Sequence, residues 1–409
     1  MRRKDNWITC SILNFCIVSF IGFILRSKII FFLPIINYNH LLESHFHFAF
    51  GGWMTLILMV LSVYELLPAS LYKKAFYQWI FGIITITSWI TLLTQYFDGN
   101  SLSTKLFSTA FILTTFIYSW IFIRDIKKAN VSKAVQLLAI SSLVSLILSS
   151  VGPLALDYLF ALKSQNAILY RNALYTYLHF QYNGFFTLAV FSLIFHKIKW
   201  EINSSSDHNI FRFSILLVIS IPTSLFLTYL WQNPITLFRL VAICGSVSIL
   251  LTLIFFLIIL PSLFKIFHKA EPVVKYIMFL AFSSFVLKMF LQSFTIIPKI
   301  GDAVFGNRPI IIGFLHLVFL GFVTLFILGY IMFSQIQNIR SGFARLALLV
   351  FSTGVILTET ILMAQGLGAM FLKSNLLVPW LLWATSILLL IGALMIFMTR
   401  IKSEPKFRE

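Results

Sequence analysis

Twelve apolar stretches, each long enough to cross a bilayer as a helix, succeed one another along the chain with only short loops between them. A crossing helix needs about 20 mostly apolar residues. The stretches fall at about 7–25, 40–67, 74–96, 104–123, 134–156, 171–196, 211–231, 238–264, 273–296, 309–334, 343–367 and 377–399. Backbone polar groups in lipid must be satisfied within the segment, so runs of this length are helices. The expected fold is all-α: a polytopic membrane helix bundle that occupies 1–409 as a single integral membrane domain. No loop has room for a soluble domain. Hydrophobic residues make up 59% of the chain and charged ones 11%, against about 25% charged in soluble domains. The lipid bilayer is therefore the first partner.

The formal net charge is +18. In a soluble chain that would suggest nucleic acid, but here the cations sit in alternate loops, which is a topogenic pattern. Nucleic acid is not an expected partner. The basic set comprises Arg2, Arg3 and Lys4; Lys73 and Lys74; Arg124, Lys127, Lys128 and Lys133; Lys197, Lys199 and Arg212; Lys265, Lys269 and Lys275; Arg340 and Arg345; and Arg400, Lys402, Lys406 and Arg408. Positive residues stay inside, so both termini are expected in the cytoplasm. The opening MRRKDN precedes an apolar run longer than a signal peptide's, with no small-residue cleavage site after it, and reads as the start of the first span. Cys10, Cys16 and Cys244 form no CxxC pair and suggest neither a disulfide framework nor a thiolate metal site. There is no CxxCH motif for covalent haem.

One phrase occurs three times. HFAFGGWMT starts at His47, HFQYNGFFT at His179 and HLVFLGFVT at His316. All three fit H-x4-G-(Trp or Phe)-x-T, matching Gly52, Trp53 and Thr55, then Gly184, Phe185 and Thr187, then Gly321, Phe322 and Thr324. They lie on spans 2, 6 and 10. The chain thus reads as three pseudo-repeats of four spans, at about 1–130, 131–268 and 269–409, and such internal repetition precedes any fold assignment. Arg171 and Arg308 stand eight residues before the second and third histidines, where the first copy has Asn39. Eight helical residues rise about 12 Å, so the three histidines share one depth.

The glycines lie about 140° around the helix from their histidines and suit close helix packing. The threonines can bond a carbonyl of their own helix. The arginines can snorkel to the interface. The histidines invite more. Neutral imidazole is a common metal ligand and the axial ligand of b-type haem, and facing helices of a bundle can build such a site. His47, His179 and His316 are therefore the metal-ligand candidates, with interhelical hydrogen bonding as the alternative. His45 lies about 200° from His47 and cannot share its pocket without distortion. It is left for a hydrogen bond or a second pocket. His40 and Glu43 stand near the entrance of the same span. His196, His208 and His268 fall in or near basic loops and receive no role. Lys288 and Gln292 in span 9, and Glu359 and Gln365 in span 11, are polar groups at a depth where ionisable residues face the interior or water.

Twelve spans in three groups of four, with histidines on spans 2, 6 and 10, resemble subunit I of the haem–copper oxidase superfamily. FAFGG (48–52) looks like the span-2 phrase of its cbb-type members, with the histidine offset differently. The resemblance implies that His47, or His45, and His316 hold a b-type haem, and that His179 matches the span-6 copper ligand. Arg171 and Arg308 would pair with haem propionates. In that family span 7 supplies two further copper ligands and span 10 a second histidine. Here span 7, FRFSILLVISIPTSLFLTYLW, has none, and span 10 has only His316. A full high-spin haem and copper centre is not encoded in the usual way, so an oxidoreductase of this type would not reduce oxygen alone. The NnrS family is similar in HFH (45–47) and HLVFLG (316–321), and its haem- and copper-associated members are linked to nitric oxide. Either resemblance implies haem, with copper as a second cofactor, a bacterial inner-membrane setting, and electrons from quinol or a respiratory membrane partner. A transporter using Lys288 and Glu359, or an assembly protein with structural or metal-handling histidines, is the competing reading.

Overall fold

The computed structural model describes residues 2–198, 204–232, 235–337, 341–371 and 375–403. Lys199, Arg340, Lys406 and Arg408, which entered the charge pattern, lie outside them. Twelve helices among the described residues are long and apolar enough to cross a membrane: span 1 (Arg3–Ile30), span 2 (Tyr38–Leu66), span 3 (Ala75–Asp98), span 4 (Leu102–Ile126), span 5 (Lys133–Ala161), span 6 (Ala167–Ile198), span 7 (Asp207–Gln232), span 8 (Thr236–Phe267), span 9 (Pro272–Phe294), span 10 (Arg308–Phe333), span 11 (Gly342–Met370) and span 12 (Leu377–Lys402). No strand occurs among those residues. The fold is the all-α polytopic bundle that the hydropathy pattern predicts. With twelve crossings, the start of span 1 and the end of span 12 lie on one side of the bundle.

Local chemistry sets the ends. Asn37 caps span 2 by accepting from the amides of Asn39 and His40, and Asn166 caps span 6 through Ile168 and Leu169. Ser101, Ser132 and Ser341 do the same for spans 4, 5 and 11. These side chains satisfy amides that the first helical turn leaves open. Span 5 breaks at Ser150, three residues before Pro153, whose ring removes a donor from the ladder.

Spans 2, 6 and 10 form the interior. Leu56–Val63 and Thr187–Phe195 are buried without interruption, as are Gly321–Met332. The three helices meet at an aromatic triangle: Phe50 lies 4.7 Å from Phe319 and 5.5 Å from Phe186, and Phe186 lies 6.2 Å from Phe319, between ring centroids. Trp53 of the first phrase donates to the Thr324 hydroxyl of the third at 3.4 Å. The other spans surround this centre and turn apolar side chains such as Leu113, Ile117 and Trp120 outward, as lipid contact requires. Span 12 closes the ring onto span 1. Cys16 donates to the Ala393 carbonyl, Trp383 to the Ser27 hydroxyl, and Arg400 to Asp5 and Thr9.

Candidate functional site

Each copy of the repeated phrase contains a π-helical segment: Ala49–Thr55, Phe180–Phe186 and Leu317–Thr324. His179 and His316 directly precede theirs, and His47 stands two residues before its own. A π turn carries an extra residue, so the helix beyond it is rotated by about 100° relative to a continuous α-helix. It also loosens the carbonyl ladder. Asn14 of span 1 donates to the Gly52 carbonyl at 2.7 Å, and Thr187 bonds the carbonyl of Tyr182, five residues back. In the second and third copies the glycine lets the first span of the repeat come close. A Cβ on Gly184 would collide with Ser145 of span 5, and one on Gly321 would stand 2.8 Å from the Ser284 hydroxyl of span 9. At Gly52 the obstacle is the Phe48 ring of the same helix, 2.7 Å away.

The three histidines have different surroundings. His316 is half-buried, and its Nδ1 donates to the Ile312 carbonyl one turn earlier at 2.8 Å. That bond fixes the tautomer and leaves the Nε2 lone pair open, as in ligating histidines. His179 is fully buried. Its Nε2 donates to the Ile221 carbonyl at 2.8 Å, and Asn183 donates to its Nδ1 at 3.1 Å. The Ile221 carbonyl is available because span 7 changes from α to 3-10 geometry at Leu225. Both ring nitrogens of His179 are thus occupied. His47 has no hydrogen bond to any described residue, and its ring neighbour is Phe46.

His45, rather than His47, is the span-2 histidine within electrostatic reach of His316, and Arg26 of span 1 lies within reach of both. The His45 ring packs at Gly22, where an added Cβ would stand 3.3 Å from its Cε1. Its Nδ1 is buried with no partner. Arg26 has no acid partner among the described residues. Its sequence setting conceals it, because it falls at the end of an apolar run, beside Ser27 and Lys28, and looks like a loop cation.

Arg171 is engaged elsewhere. Its Nε donates to the Tyr175 hydroxyl at 2.9 Å, its Nη2 to the Phe305 carbonyl, and its guanidinium lies 4.2 Å from the Trp231 ring centroid. Arg308 is exposed at the start of span 10. Arg26, and neither of these two, is the arginine within electrostatic reach of His45 and His316. Span 11 packs against the first half of span 10, with Leu362 opposite Gly313 and Gly366 opposite Ile310. The helices run antiparallel there, so Glu359 stands at the height of His316. Its Oε1 is buried without a partner.

Among the described residues, no three His, Cys, Asp or Glu side chains converge to hold a metal ion. His47, His179 and His316 share a depth and a repeat position but not a centre. The architecture defines a twelve-span α-helical membrane protein built on three copies of a histidine–π-turn phrase. No protein-family model matches the chain, and no curated protein matches it in sequence.

Proposed function

We propose that the protein is a haem-binding membrane protein, with a b-type haem held between His45 of span 2 and His316 of span 10, acting in electron transfer or nitric oxide handling. The observation that carries this reading is the pair of open imidazole nitrogens. His316 keeps Nε2 free by tying Nδ1 to the Ile312 carbonyl, while His45 leaves a buried Nδ1 unpartnered. An orphaned buried polar atom is costly, and ligation would satisfy it. His45 takes the role that register alone assigned to His47, because Arg26 and His316 are its neighbours.

The chain's own groups then have definite work. The Ile312 carbonyl orients the His316 ring and strengthens it as a donor. Arg26 offers a cation to a propionate carboxylate, in the paired manner that guanidinium favours. Apolar packing at Gly22 and around Phe46 keeps water away. A bound haem supplies a reversible one-electron couple. Electrons would come from quinol or a respiratory membrane partner, in a bacterial inner membrane with the basic face and both termini cytoplasmic. The residues present do not fit a copper ion at His179, whose ring nitrogens are both bonded, and no copper step is proposed.

The test is haem content per protein, as pyridine haemochromogen, after expression with ample haem. The reading expects close to one haem per chain and loss on His316→Ala. Carbon monoxide or nitric oxide added to the reduced sample then tests for an open coordination position. Glu359, half-buried with an unpartnered Oε1 at the height of His316, favours a transport reading second. That alternative predicts proton or cation flux from haem-free protein, abolished by Glu359→Gln.

A further inference from the structure

A second polar cluster lies between spans 6, 9 and 10, away from His45. Lys288 of span 9 is 1% exposed, and Gln292 stands one turn further along the same face at 6%. The Lys288 ammonium has no hydrogen bond and no acid partner among the described residues. Its neighbours are the rings of Tyr182 and Phe285, each with its centroid 5.7 Å away. His179 is within its electrostatic reach but has both ring nitrogens occupied. On Gln292, both Nε2 and Oε1 are buried with no partner.

An ammonium in so apolar a place must gain a counter-charge or give up its proton, since desolvation costs several kcal/mol. The chain does not supply one nearby. Spans 6, 8, 9 and 10 contain no Asp or Glu, and span 7 has only Asp207, at its basic-face end. Lys288 stands 16 residues into span 9, about 24 Å from that face. Glu359 is at a similar height on span 11, yet no ion pair joins it to Lys288. Two orphaned groups on one face of one helix, a cation and an amide, make a donor-rich cluster that lacks its acceptor.

We propose that Lys288 and Gln292 form a buried anion site that takes a carboxylate or a small oxyanion. The ammonium supplies the charge and the Gln292 amide nitrogen a directed donor. The amide oxygen is left for a bound water or an O–H of the guest. The aromatic walls formed by Tyr182 and Phe285 limit the guest to one small charged group, either free in solution or at the head of an apolar chain. The site shares no ligating residue with His45 and His316 and stands whether or not haem binds.

The experiment is thermal unfolding of the full chain in nanodiscs, titrated with formate, nitrate or oleate, for the native protein and for Lys288→Met, Lys288→Arg and Gln292→Leu. A ligand that binds only the folded state raises the midpoint in a saturable way. The native protein is expected to show that rise, Lys288→Arg to keep it at higher concentrations, Gln292→Leu to weaken it at least several-fold, and Lys288→Met to lose it. Saturation by formate or nitrate assigns an aqueous anion, and saturation by oleate alone assigns a lipid carboxylate. Either supports the site. No saturable rise in the native protein, or the same rise in Lys288→Met, overturns it; if Lys288→Met does not fold, the Gln292→Leu and Lys288→Arg titrations decide, and a response unchanged in both overturns it.

Discussion

Three histidines at matching positions of a repeat have come to differ in what their ring nitrogens do. His179 is closed on both sides by Ile221 and Asn183. Replacing it with alanine leaves the Asn183 amide unpaired in the interior and the Ile221 carbonyl with only a long bond from the Ser224 hydroxyl, at about 1–3 kcal/mol for a group left unsatisfied. We therefore expect His179→Ala to lower the unfolding midpoint clearly while leaving haem content per folded protein unchanged. Loss of haem with unchanged stability would contradict that assignment. His316→Ala should behave in the opposite way, because the Ile312 carbonyl it leaves belongs to the helical ladder of its own span. The sequence identified all three residues and their depth, since depth comes from counting residues at a fixed rise. It did not distinguish their roles, because the Ile221 carbonyl and Arg26 come from other helices. Between His47 and His45, repeat register favours the first, and the unpartnered Nδ1 favours the second. Repeat register says which positions correspond, but a neighbour's side chain decides which one is partnered.

At the scale of the helix, the repeated phrase is a packing device as much as a site. In its second and third copies the glycine admits the first span of the repeat, and the π turn re-aims the residues beyond it. Gly184 against Ser145 is the closest of these approaches. Gly184→Ala should cost about 1–3 kcal/mol through overpacking, and Ser145→Gly in the same chain should recover much of it. Equal stability of Gly184→Ala and the native protein, by denaturant or thermal unfolding, would contradict the packing account. The glycine's role was legible from its angular distance to the histidine, and small residues at membrane interfaces are common. The π segments were not legible. Their sequences have nothing in common beyond the phrase itself, and the extra residue reveals itself only through bonds such as Asn14 to Gly52 and the five-residue step from Thr187 to Tyr182.

For the whole molecule, hydropathy sufficed to predict twelve crossings, and the described helices agree with the predicted stretches to within a few residues at most ends. Ring closure was not predictable, because it rests on side chains nearly four hundred residues apart. Arg400 is 3% exposed and bonds Asp5, Thr9 and the Ile336 carbonyl. Removing it strands a partly exposed aspartate and an internal carbonyl together, so Arg400→Gln should lower the thermal midpoint more than any substitution among the lipid-facing residues of span 4. Matching midpoints would contradict this. The proposed orientation makes its own prediction. A reporter that is active only in the cytoplasm should be active when fused after residue 409 and inactive when inserted in the loop between spans 1 and 2.

We propose that His45 and His316 are the two imidazoles of one haem pocket. The decisive measurement is the dithionite-reduced minus oxidised absorption spectrum of the purified protein beside those of His45→Ala, His47→Ala and His316→Ala. A sharp b-type α band is expected in the native protein and in His47→Ala, with loss or marked broadening in the other two. A native protein without haem after haem-replete expression, or a band that survives His316→Ala or disappears with His47 instead of His45, would contradict it.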